Sequence, residues 1–167
     1  MTGDARSETP RTATVPEVAN VGVVRPPLVY LTAILLGVGL HLAWPVGLVA
    51  HPQGAWLGGA AIPLAIALFV SAVRTFRAAG TPVPGHRPTT TIVRTGPYRF
   101  SRNPIYLAFS LLHLGLALWL GSLWLIVTLL PAVALMALVV IPCEEQYLEA
   151  RFPLVYPSYK ASVRRWL

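Results

Sequence analysis

Four apolar stretches, each long enough to form a bilayer-crossing helix, constrain this chain more than anything else in it. They occupy residues 28–49, 54–73, 104–120 and 123–141. Each is about 17–22 residues long, against the ~20 a helix needs to cross a hydrocarbon core. His51-Pro52-Gln53-Gly54 joins the first pair and Gly121-Ser122 the second, and links this short force antiparallel hairpins. A helix satisfies every backbone group within its own segment, which lipid demands. The predicted fold is therefore all-α: a polytopic helical membrane protein with four transmembrane helices. Pro45, Pro63 and Pro131 lie in or near the ends of these runs, where spanning helices tolerate proline if neighbours re-satisfy the freed backbone.

Composition bears on one question, the partner. The chain carries a net charge of +7 with only 11% charged residues, against about a quarter in soluble domains. A basic chain invites a nucleic-acid partner, but the placement of the charge argues against one. No Lys or Arg falls between Arg25 and Arg74, or between Arg102 and Arg151. Basic residues confined to the flanks of apolar runs are a topology signal. They predict an integral protein of the cell inner membrane, with both termini and the 74–103 loop cytoplasmic. An even number of spans is then required, and four satisfies it.

Residues 1–25 are polar, rich in Thr and Pro, and read as a disordered cytoplasmic tail. They lack the early apolar core and cleavage site of a signal peptide. Residues 26–167 then form one integral membrane domain. The single cysteine, Cys143, excludes an intrachain disulfide framework and a cysteine-rich zinc site, and it reads as a small packing residue.

Two polar stretches interrupt the apolar pattern. The first is GPYRFSRNPIY, residues 96–106. Asn103 suits an N-cap and Pro104 the first helical turn, where its missing N–H costs nothing. Capping does not account for Tyr98, Arg102 and Tyr106. The second is Glu144-Glu145, directly after the fourth run. Acids at a helix C-terminus oppose the macrodipole. If the helix instead runs on through Leu148, the pair sits at the membrane surface and can point into the bundle. There a carboxylate accepts hydrogen bonds from an ammonium or from ribose hydroxyls.

Taken together, Arg102-Asn103-Pro104-Ile105-Tyr106, an apolar hairpin and Glu144-Glu145 resemble a family signature. It is that of the isoprenylcysteine carboxyl methyltransferase and phospholipid methyltransferase superfamily of integral membrane enzymes: Arg-His-Pro-x-Tyr, a hydrophobic stretch, then Glu-Glu. Gly96-Pro97-Tyr98 upstream and Leu148, Phe152, Tyr156, Tyr159 and Val163 downstream extend the likeness over about residues 74–165. The resemblance implies a methyltransferase with a cytoplasm-facing pocket for S-adenosylmethionine, leaving S-adenosylhomocysteine as product. Carried onto this chain, Thr90, Thr91, Ile92 and Val93 line the cofactor. Tyr98, Arg102, Asn103, Pro104 and Tyr106 complete that wall, and Glu144 and Glu145 close it. Aromatic rings suit a purine and a sulfonium cation, and carboxylates suit an amino group or ribose hydroxyls. The implied acceptor is a lipid or lipid-like molecule resident in the bilayer. Asn103 stands where the family has histidine. Prenylcysteine enzymes place an arginine about a turn before the acids, where this chain has Val140-Ile141-Pro142-Cys143, which weighs against a prenylcysteine carboxylate. No residue presents itself as a general base, and no metal site is expected.

A different class rests on His41 and His113, one in the first run and one in the third. Polar residues inside spans mark function by default, and two histidines can ligate haem axially. A non-enzymatic haem carrier or helix-bundle partner subunit is the alternative, and interhelical hydrogen bonding accounts for the same residues. Gly37-x-Gly39 reads as helix packing. Tyr30, Trp44, Trp56, Trp119 and Trp124 read as interfacial belts.

Overall fold

The computed structural model describes residues 24–48, 52–82 and 88–167. Nearly all of the predicted tail, and part of the first link, lie outside them. Among the described residues the fold is helical, with a single isolated bridge between Gly47 and Ser122. Helix α1 covers Pro26–Ala43 and α2 covers Pro52–Ala78. A 3-10 turn at Gly96–Arg99 precedes α3, Pro104–Trp119. Helix α4, Leu123–Leu135, passes through a π segment at Met136–Val140 into α5, Ile141–Arg151. A short α6, Tyr156–Ser162, follows.

Three of these helices are long and apolar enough to cross a membrane: Pro26–Ala43, Gln53–Ala78 and the continuous Leu123–Arg151. The fourth predicted span is the shorter apolar helix α3, with 16 residues. At 1.5 Å per residue it reaches roughly 24 Å, less than the ~30 Å hydrocarbon core. Leu35, Leu64 and Leu138 are 62%, 62% and 75% exposed on the three long helices. Such outward apolar side chains suit lipid, and with the helix lengths they mark an integral membrane protein.

The predicted boundaries shift for local reasons. The first run ends as a helix at Ala43 rather than residue 49. Trp44 stands before Pro45 and is extended, at φ −138° and ψ 90°, because a following proline disfavours the α region. Helix α2 outruns its apolar stretch by five residues, to Ala78. Ala72 and Phe76 stay buried there while Arg74 and Arg77 face outward, so amphipathic spacing carries the helix past the greasy core. The last helix runs well beyond residue 141. Pro142 has no N–H to donate and its ring clashes with the carbonyl four residues back. The π segment immediately before it relieves that conflict by widening the turn.

Helix α2 packs along α3, and α1 along α4. The first contact is a backbone-to-backbone approach. A Cβ on Gly58 would fall 2.4 Å from the Trp119 N and 2.5 Å from the Gly115 O, which only hydrogen at that position allows. Gly37 behaves as predicted, lying against Leu125 and Thr128 of α4, whereas Gly39 faces open space. At the far end the two links are tied together. Leu48 N donates to Gly121 O (2.7 Å), Leu123 N to Val46 O (3.1 Å) and Trp124 Nε1 to Trp44 O (2.7 Å).

Two readings of single residues change, those of Tyr30 and Cys143. Tyr30 is not interfacial but 2% exposed, sharing a 2.7 Å hydrogen bond with Ser110 Oγ. Trp44, Trp56 and Trp119 are exposed at the end with the links, as a belt requires. Cys143 is exposed, not a packing residue. His113 is fully buried with Nε2 3.4 Å from Thr128 Oγ1, an interhelical polar contact.

Candidate functional site

At the end of the bundle opposite the links, α5 brings both glutamates inward. The helix does run on past them, and both are buried. The Arg102–Tyr106 entrance meets them from α3. Tyr106 Oη donates to Glu144 Oε1 at 2.5 Å, and Arg102 Nη1 lies 3.1 Å from Glu145 Oε1 as an ion pair. The 3-10 turn supplies Tyr98, 4% exposed, whose ring meets Phe76 of α2 edge-on at 4.8 Å. Gly96 makes that turn possible. It sits at φ +58°, and a Cβ there would stand 2.7 Å from Thr75 Oγ1, so glycine meets both demands.

Two cavities open from this junction. The polar one, about 60 Å³, is lined by Thr91, Ile92 and Val93, by Glu145, and by Tyr156 and Tyr159 of α6, among others. The apolar one, about 380 Å³, lies between Pro26 and Pro27 of α1, Phe69 and Val73 of α2, and Ile105 and Phe109 of α3. Pro104 and Tyr106 belong to this second cavity. Phe76, Tyr98, Arg102, Asn103 and Glu144 line both. Thr90 lines neither. Its N–H donates to Thr81 Oγ1 (3.0 Å) and its side chain faces outward, while Thr89 turns in and its N–H donates to Tyr147 Oη (3.2 Å).

Asn103 holds the N-cap position, yet its side chain caps nothing. Its Nδ2 donates instead to Arg165 O at 3.0 Å. The C-terminal segment thereby joins the site. Arg102 N donates to Arg164 O (3.0 Å). Arg165 Nε and Nη2 donate to the two oxygens of Glu145, at 3.0 and 2.8 Å. With Arg102 on one side and Lys160 Nζ 3.9 Å away on the other, the Glu145 carboxylate is fully engaged. That pairing holds the Arg165 guanidinium above its ordinary range. Burial, then the charge of Glu145, pushes the Tyr156 phenol up to about 12. Burial first, then Tyr159 and Glu144, raise Tyr98 as well. Both phenols are therefore neutral donors at physiological pH.

Buried polar atoms without partners mark where a ligand's groups fit. Among the described residues these are Thr89 Oγ1, Tyr98 Oη, Arg102 Nε and Arg102 Nη1, with His41 Nδ1 and His113 Nδ1 elsewhere. All of the first four belong to residues of the polar cavity. Arg102 Nη1 is near Glu145 but not aligned to hydrogen-bond it. Free guanidinium donors suit a carboxylate, and the hydroxyls suit ribose or a purine edge. Phe76 and Arg165 were not legible in the sequence, since nothing local ties positions so far apart, whereas Thr89 lies one residue before the predicted Thr90–Val93 stretch.

Helices built for lipid, with a polar chamber sharing a wall with an apolar one at one end, define an integral membrane protein. Residues 54–154 match the family model described as phospholipid methyltransferase. The chain belongs to that family. Comparison with curated proteins and with solved structures finds no match.

Proposed function

We propose that this protein transfers a methyl group from S-adenosylmethionine to a lipophilic acceptor resident in the bilayer. The observation that carries the reading is the shared wall. Tyr98, Arg102, Asn103 and Glu144 face both a polar chamber with unpaired donors and an apolar chamber between the helices. The cofactor supplies a methyl group already activated by its sulfonium charge. The protein's part is then positioning and electrostatics. Arg102 offers donors to the cofactor carboxylate. Phe76 and Tyr98 present ring surface to a cation or purine. Glu144, 7% exposed and steadied by Tyr106, puts a carboxyl group at the boundary the methyl group crosses. The apolar chamber, with Phe69, Ile105 and Phe109, receives the acceptor and excludes water.

Orientation follows from charge. The site end carries the described Lys and Arg, and the tied links carry none, which favours a cytoplasmic site and four crossings, α3 included. Calorimetry on detergent-solubilised protein tests the cofactor reading. S-adenosylhomocysteine should bind, and lipid extracts incubated with methyl-labelled cofactor should gain label. Folded protein that binds no S-adenosylhomocysteine in several detergents would sink the proposal.

A further inference from the structure

The polar chamber is too small as it stands. Small-molecule sites run about 300–1,000 Å³, and this one is about 60 Å³. Something must move before a nucleoside-sized ligand enters. The segment after α6 is the element that holds three residues of the chamber's wall, Arg102, Asn103 and Glu145. It lies back across the α3 entrance through two backbone carbonyls, Arg164 O and Arg165 O, which accept from Arg102 N and Asn103 Nδ2. Its guanidinium fills both oxygens of Glu145, and Trp166 packs against the core that includes Tyr106 and Ile141. Arg165 is only half-buried, so water competes for this pair and its release costs less than that of the buried Arg102 pair.

The geometry points to a latch: residues 164–167 hold Arg165 on the Glu145 carboxylate that a ligand's ammonium would occupy, and ligand entry displaces them. This rests on the methyltransferase reading for the identity of the ligand, but not for the motion. A cation that binds Glu145 competes directly with Arg165. The binding-competent fraction of the free protein, and with it the apparent affinity, is set by how firmly the latch holds.

The test uses the full chain with spin labels at Leu167, 70% exposed, and Leu64, 62% exposed. A Cys143→Ser background removes the only native cysteine. Arg165→Gln should lengthen and broaden the label distance with no ligand present, and Arg165→Lys should fall between it and the parent. Saturating S-adenosylhomocysteine should produce the same lengthening in the parent. Arg165→Gln should bind it about tenfold more tightly. An unchanged distance in Arg165→Gln, or weaker ligand binding by that variant, would make the segment a fixed wall and overturn the latch. A freed label in Arg165→Gln supports the latch whatever binds. Failure of every variant to bind S-adenosylhomocysteine overturns the cofactor reading alone.

Discussion

Tyr98 and Tyr106 are buried phenols eight positions apart with opposite hydrogen-bond accounts. Tyr106 Oη donates to Glu144, while Tyr98 Oη has no partner. Deleting a hydroxyl that nothing uses is close to neutral, whereas deleting the donor to a buried carboxylate exposes its desolvation cost. Tyr106→Phe should therefore lower unfolding stability by about 1–3 kcal/mol. Tyr98→Phe should leave stability nearly unchanged but weaken S-adenosylhomocysteine binding by about three- to tenfold, one hydrogen bond's worth. Thermal unfolding and calorimetry on the same samples separate the two. Equal stability losses would show that the Tyr98 hydroxyl has a structural partner after all. Both residues were legible in the sequence because they lie in one polar stretch beside a helix start. The engagement of Asn103 and Glu145 by Arg165 was not, since those contacts span 62 and 20 positions and no periodicity encodes them.

Elements were legible wherever hydropathy and helix length coincide, and missed where backbone chemistry sets the boundary. Pro45 cut α1 short, and amphipathic spacing lengthened α2. Contact between elements depends on residues that hydropathy barely registers. Gly58 and Gly59 are adjacent in α2, yet a Cβ on Gly58 would meet α3 backbone while one on Gly59 would meet nothing within 4 Å. Backbone cannot step aside as a flexible side chain can. Gly58→Ala should destabilise the bundle by about 2 kcal/mol, within the usual range for overpacking. Gly59→Ala should be neutral. Denaturant titration in detergent reads both, and matching effects would mean α2 and α3 are not in the close contact described.

At the scale of the whole molecule, the chain sorts its charge by end. The described Lys and Arg cluster around the site, and the tied links at Gly47 and Ser122 have none. If that asymmetry sets orientation, reporters inserted after Gly121 and fused at Leu167 should report opposite sides of the membrane. Same-side signals would require an even number of crossings between them and remove the proposed arrangement. The sorting was visible from sequence because it needs only positions along the chain. The pair of chambers was not, because a cavity is a property of several helices at once.

The π segment at Met136–Val140 acts as a phase adjuster. Inward positions on α4 recur at Leu125, Leu129, Ala132 and Met136. Continued at 3.6 residues per turn, that series would favour the neighbourhood of Val140 and, a turn later, that of Cys143. One wider turn delays the rotation by roughly a residue, and Glu144 and Glu145 face inward while Cys143 faces out. The facing of the glutamates thus depends on how many residues separate them from α4, and only weakly on which apolar residues these are. Over evolutionary time such a stretch can exchange apolar side chains of similar volume, but it cannot change its length without turning the acids away from the site.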